Sequence, residues 1–129
     1  MIKTIDNIET STATMKFKNN ILYIVIKEDA DVDLLAVKES VKARRKMQGD
    51  EPVLVLVDSR KMWQLTKEAN YYSASKEVAE LSKAMALLTD SSLAMRMITN
   101  FFIRMNRQYV PTKMFNSEGK ALEWLNTFE

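Results

Sequence analysis

The apolar run from Val53 to Val57 constrains the fold of this chain more than any other feature. Five consecutive branched apolar residues, with Pro52 before them and Asp58 after them, predict a strand that is buried on both faces. Such strands lie in the middle of parallel sheets that are covered by helices. Open sheets of this kind bind ligands or partners beyond the carboxyl ends of their strands. The polar residues that follow Val57 therefore mark the first place to look for a functional site.

Two absences from the composition restrict the chemistry. The 129 residues contain no cysteine and no histidine. Disulfides, thiolate nucleophiles, Cys-ligated metals, serine–histidine–aspartate catalysis and zinc hydrolysis are thereby excluded within this chain. The acidic residues are scattered over predicted helix faces, and no pair is set apart for acid–base catalysis. We therefore expect a protein that is not an enzyme and that holds no cofactor and no metal.

The charge and apolar patterns give the expected location. The net charge of +2 provides no general attraction to nucleic acid or to anionic membranes. The longest apolar runs are about six residues, whereas a membrane-spanning helix needs roughly 20. Asp6 and Glu9 do not fit the basic and then apolar order of a signal peptide. We expect one cytoplasmic domain over residues 1–129, in which residues 1–11 form a polar lead-in arm.

Local signals place the elements of the first half. Alternating residues from Ala13 to Lys18, the pair Asn19-Asn20 and the apolar run 21–26 predict a hairpin. Asp31 or Asp33 can cap a helix that runs to about Met47, with Gly49 after its end. The basic residues of its last turns suit the negative end of the helix dipole, so we interpret them as solvated. These residues are Lys42, Arg44, Arg45 and Lys46.

In the second half, Thr66 can cap a helix over roughly residues 67–82, and residues 84–89 read as a second buried strand. A helix over residues 92–106, a short strand at 113–115 and a last helix capped by Ser117 follow. The predicted order is β-β-α-β-α-β-α-β-α. It implies a single α/β domain with a mostly parallel mixed sheet covered by helices.

This order, together with three stretches of sequence, resembles the STAS domain, and its SpoIIAA-like branch (also described as STAS/Sec14-like) in particular. The stretches are Val53–Asp58 with its polar exit, the helix start at Asp90-Ser91-Ser92, and the ending Ala121-Leu122-Glu123-Trp124-Leu125. The resemblance implies a regulatory module that binds another protein. The best-known members of the family carry a phosphorylated serine in an Asp-Ser-Ser-Gly stretch at the start of the helix after the central strand. Here the corresponding residues 65–69 read Leu-Thr-Lys-Glu-Ala, so that motif is not kept.

The first candidate site follows the central strand. Arg60 and Lys61, together with backbone N–H groups, can hold an anionic group. In the alternative reading, Asp58 and Ser59 only terminate the strand by bonding local amides, and the cations are only solvated. Trp63 either covers the end of the core or serves as an exposed binding anchor. On the sequence alone, both alternatives stay open for the residues 58–61 and for Trp63.

Two further places are weaker candidates. Thr66 can simply cap its helix, or it can carry a phosphate that Lys67 would stabilise. Asp90-Ser91-Ser92 can likewise cap a helix or line a pocket beside the first site. The wide apolar arc of helix 92–106 fits core packing, but its Met97, Phe101 and Phe102 could also line a site for a lipid or another apolar ligand.

Two functions follow from these observations. The first is a non-enzymatic regulatory module in which residues 58–67 bind a partner protein or a second copy of this chain. The second is a binding domain for a small apolar ligand, recognisable by an apolar cavity instead of a packed core. Neither function involves nucleic acid or a segment that spans a membrane.

Overall fold

The computed structural model describes residues 7–61, 63–90 and 109–128. In these residues the strands are β1 (Asn7–Glu9), β2 (Ala13–Lys18), β3 (Ile21–Ile26), β4 (Ala30–Val32), β5 (Val53–Asp58), β6 (Trp63–Leu65), β7 (Ser82–Leu88) and β8 (Thr112–Phe115). The helices are α1 (Leu34–Gln48), α2 (Lys67–Ser73), α3 (Lys76–Ala79) and α4 (Glu118–Asn126).

The central sheet has the order β1-β2-β3-β5-β7-β8. The first three strands pair antiparallel, and β3, β5, β7 and β8 pair parallel. This confirms the predicted mostly parallel mixed sheet with β5 near its centre. A second sheet has only two strands, in which β4 pairs parallel with β6. Strand β6 comes shortly after β5 in the chain. This small sheet therefore holds in place the segment after β5, which carries the first candidate site.

Most helices and strands begin or end at the turn and capping residues that the sequence predicts. Asn19 and Asn20 adopt φ values of 53° and 65°, which the hairpin turn between β2 and β3 requires. Asp33 accepts a hydrogen bond from the amide of Ala36 and caps α1. Gly49 ends that helix at a φ of 68°, a conformation that costs glycine little. Ser117 caps α4 in the same way that Asp33 caps α1.

The sheet has an apolar cluster on each face. One cluster includes Met15, Leu22, Val55 and Met85 and packs against Ala43 and Met47 of α1. The other includes Leu54, Leu56 and the small residues Ala84 and Ala86, which pack against Ala121 and Leu125 of α4. The side chains of β5 thus alternate between two covered faces, as its unbroken apolar run predicts.

The polar lead-in arm predicted over residues 1–11 is wrong in one respect, because it contains strand β1. Asn7, Ile8 and Glu9 pair antiparallel with β2 at the edge of the sheet. Ile8 packs against the apolar cluster on the α1 side. A strand of three residues with one apolar side chain is too short to show the alternation that identifies strands in a sequence.

The single helix predicted over residues 67–82 is also wrong. Helix α2 ends at Ser73, and α3 begins after Ser75, whose hydroxyl caps it. The hydroxyl of Ser73 donates to the carbonyl of Ala69 at 2.7 Å. Serine side chains compete for backbone bonds in this way, which favours a break over a continuous helix. The apolar spacing that suggested one helix continues across the break, so periodicity did not reveal it.

The predicted helix over residues 92–106 lies outside the described residues. The longest helix that the structure describes is α1, with 15 residues. Within the described ranges, no helix is both long enough and apolar enough to cross a membrane.

Candidate functional site

The exit of β5 is fixed to β7 by Ser59. The amide and the hydroxyl of Ser59 donate to the carbonyl oxygen of Leu88 at 2.8 and 2.9 Å. The residue is only 3% exposed, so its hydroxyl is a structural group. This bond anchors the start of the candidate segment to the carboxyl end of the neighbouring strand.

Asp58 and Arg60 form an ion pair within this exit. Nε and Nη2 of Arg60 donate to the two carboxylate oxygens of Asp58 at 3.0 and 2.8 Å. Burial raises the pKa of Asp58, but the hydrogen bonds from Arg60 and the charges of Arg60 and Lys61 outweigh it and lower the pKa below its ordinary value. Much of the positive charge of Arg60 is therefore compensated by the carboxylate of Asp58.

Trp63 is the first residue of strand β6. It is half-buried, and its indole Nε1 donates to the carbonyl of Ser59 at 3.2 Å. In the small second sheet it stands opposite Ala30. The ring therefore connects the exit of β5 to β6.

Thr66 caps α2, as one of the two readings predicted. Its Oγ1 accepts a hydrogen bond from the amide of Ala69 at 3.1 Å, and its own amide donates to Val32 at 3.1 Å. Lys67 is the first residue of α2 and is exposed. Whether Thr66 carries a phosphate stays a prediction.

We call the exposed residues between positions 60 and 67 the cationic ledge. Trp63 and Leu65 are half-buried, whereas Gln64 between them is exposed, as the alternation of a strand requires. Among the described residues, neither Lys61 nor Lys67 forms an ion pair. The ledge thus offers two exposed lysines without an ion pair among the described residues, on a backbone that is held at both ends. It consists of Arg60, Lys61, Gln64, Thr66 and Lys67.

A cavity of about 150 Å³ lies beneath β6, between the sheet and α1. Its walls are almost wholly apolar. The sheet contributes Ile24, Val57 and Leu87, whereas Val37 and Val41 line it from α1. Trp63 and Leu65 of β6 line it as well, so the segment that carries the ledge also contributes to the cavity wall.

Arg44 also lines this cavity, and its environment overturns the expectation of a solvated helix end. It is only 4% exposed. Its Nε donates to Gln48 at 3.1 Å, and its Nη2 donates to the carbonyl of Leu81 at 2.9 Å and to Oγ of Ser82 at 3.2 Å. Burial lowers the pKa of Arg44 to about 10, with a smaller contribution from the charge of Arg45. The guanidinium therefore remains cationic at neutral pH.

Among the described residues, one guanidinium nitrogen of Arg44 has no hydrogen-bond partner. Within the described parts of the chain, Nη1 makes no hydrogen bond, and no carboxylate forms an ion pair with the side chain. A buried cation normally has a counter-charge. Sequence reasoning missed this residue, although a signal exists: Val37, Val41 and Arg44 follow the i, i+4, i+7 spacing of one helix face.

The other predicted site residues are described only in part. Asp90 is exposed just beyond β7, whereas Ser91 and Ser92 lie outside the described residues. Met97, Phe101 and Phe102, the predicted apolar lining, lie outside them as well. In the residues that the structure does describe, no group of three or more acidic side chains is placed to hold a metal ion.

Comparison with solved structures identifies the fold class. The chain is similar to an uncharacterised protein of the DUF3478 family from Shewanella loihica PV-4, whose crystal structure has a SpoIIAA-like fold. The TM-score is 0.62 at 14% sequence identity, and the match covers 88% of this chain and 91% of that chain. The fold of this chain is therefore SpoIIAA-like, as the resemblance to the STAS domain implied.

The family follows from the sequence itself. Residues 15–129 match the model of DUF7793, described as a domain of unknown function, and the chain belongs to that family. No curated protein matches the sequence to a significant degree.

Proposed function

We propose that this chain is a non-enzymatic regulatory module that binds a protein partner through the cationic ledge. The observation that carries the proposal is that the ledge is both exposed and held in place. Ser59 anchors it to β7 at one end, and the amide of Thr66 bonds Val32 of β4 at the other. A surface ordered before binding loses little conformational entropy when a partner docks.

The charge of the ledge indicates the chemistry of the partner surface. Arg60 is paired with Asp58, but Lys61 and Lys67 are exposed and form no ion pair within the described chain. An acidic surface would supply ion-pair partners for these two lysines and would be attracted during encounter. We expect such a surface on another protein or on a second copy of this chain.

Charge reversal on the ledge tests this proposal. Lys61→Glu combined with Lys67→Glu should weaken partner binding about tenfold or more, because two attractive contacts become repulsive. Immobilised protein is incubated with an extract of its source cells, and the retained proteins are quantified. Sedimentation velocity of the purified protein measures self-association in parallel.

The matched control reverses two exposed lysines elsewhere, Lys83→Glu with Lys120→Glu, and changes the net charge equally. The proposal predicts that a partner retained by the wild type and by this control is lost from the ledge variant. Equal retention by all three proteins, with self-association also unchanged, would contradict it.

The cavity favours a second candidate function, the binding of a small apolar molecule. Its walls are almost wholly apolar, and Trp63, in the segment that carries the ledge, lines it. The volume of about 150 Å³ is well below the roughly 300–1,000 Å³ of pockets for drug-sized ligands, so the occupant would be small. Saturable binding of a small organic molecule would support this function, and the absence of such binding would contradict it.

A further inference from the structure

We propose that the cavity beneath β6 binds a small organic anion, whose acidic group pairs with Nη1 of Arg44 and whose apolar body fills the space under Trp63. The proposal rests on the second candidate function and specifies the chemistry of its ligand. Two independent observations carry it: an apolar cavity, and on its wall a buried cation for which the described residues supply no counter-charge.

The environment of Arg44 is the first step of the argument. Nε and Nη2 are held by Gln48, Leu81 and Ser82, so the position of the guanidinium is fixed. All three of these partners are uncharged, and Nη1 has none among the described residues. Burying an uncompensated charge is unfavourable, and a carboxylate brought by a ligand would remove that cost. The two N–H groups of Nη1 are left to donate to a carboxylate, and hydrogen bonds between charged groups are stronger than neutral ones.

The apolar walls determine the rest of the ligand. Val37, Val41, Val57 and Leu87 offer carbon surface, and the indole of Trp63 adds a flat aromatic wall. A cavity of about 150 Å³ is the size that holds a molecule such as benzene. A long acyl chain is too large for it. The ligand class is therefore a carboxylic acid with a short aliphatic or a single-ring body.

Hexanoate and its neutral isostere hexanamide are the probes that test this inference. They share the same apolar chain and differ in charge. Trp63 on the cavity wall reports binding by its fluorescence once the second tryptophan is replaced by Trp124→Phe. Trp124 packs between Phe115 and Phe128 on the opposite side of the sheet, where a phenyl ring can take its place. Changes in backbone amide NMR shifts provide a second readout of the same titration.

The expected result is saturable binding of hexanoate that is at least tenfold tighter than that of hexanamide. Arg44→Gln should abolish this preference. Because that variant also loses bonds to Leu81 and Ser82, Ser40→Leu provides a second test. Ser40 lies on the cavity wall and is only partly exposed, so the larger side chain should fill the space and eliminate hexanoate binding while the helix persists.

The outcomes distinguish the pairing of the acidic group with Arg44 from the binding of an apolar molecule in this cavity. Equal affinity for hexanoate and hexanamide would overturn the role of Arg44 and leave the apolar site standing. Hexanoate binding that persists in Ser40→Leu would overturn the placement in this cavity. If neither probe binds the wild-type protein, both the anion site and the second candidate function are contradicted.

Discussion

Replacing Leu56 with alanine is expected to lower the free energy of unfolding by about 3 kcal/mol. Leu56 stands at the middle of β5, is 1% exposed, and packs with Ala86, Ala121 and Leu125 on the α4 face of the sheet. Its neighbours are small and belong to paired strands and a helix, so they can close the resulting cavity only in part. Urea denaturation followed by circular dichroism measures the change.

Leu35→Ala provides the matched control, since it makes the same chemical change at a residue that is 77% exposed. Its effect should stay within about 0.5 kcal/mol, as for most surface substitutions. A loss at Leu56 no larger than the loss at Leu35 would contradict the placement of β5 between two covered faces.

Replacing Trp63 with alanine is expected to cost about 2 kcal/mol of unfolding free energy, less than for a fully buried tryptophan. The change removes the ring from the cavity wall and the hydrogen bond from Nε1 to Ser59. Trp63→Phe keeps most of the ring contact and loses only the hydrogen bond, so its cost should be about 1 kcal/mol. The same denaturation experiment compares the two variants.

Gln64→Ala serves as the control for these variants, because Gln64 is the exposed neighbour on the same strand. It should leave the unfolding free energy nearly unchanged. If Trp63→Ala proves as stable as Gln64→Ala, Trp63 does not cover the end of the core. The alternative, that Trp63 is an exposed binding anchor, would then gain support.

The sequence predicts those parts of the fold that depend on neighbouring residues. The apolar run from Val53 to Val57 indicates the central strand, because it is short, rich in β-branched residues and bounded by Pro52 and Asp58, as a strand covered on both faces is. Asp33, Thr66 and Ser117 each mark a helix start through the bond that their side chain accepts three residues onward. These signals are read within a few residues of chain, so they hold without knowledge of the tertiary structure.

The features that define the candidate site depend on contacts between distant residues. The pairing of β4 with β6 joins two strands of three residues each, and neither is long enough to show a pattern. Arg44 becomes buried through Leu81 and Ser82, which lie 37 and 38 residues farther along the chain. A lysine- and arginine-rich helix end is normally solvated, so composition favoured the wrong reading for this one residue.

The most direct test of the central claim is site-specific photo-crosslinking from the cationic ledge. A photoreactive amino acid replaces Lys61 in one protein and Lys83 in another, and both are exposed lysines. The crosslinked products formed in the source cells are identified by mass spectrometry. The proposed function predicts a defined protein, or a second copy of this chain, attached at position 61 and absent from position 83. Crosslinks of equal yield at both positions, or at position 83 alone, would contradict the ledge as the binding surface.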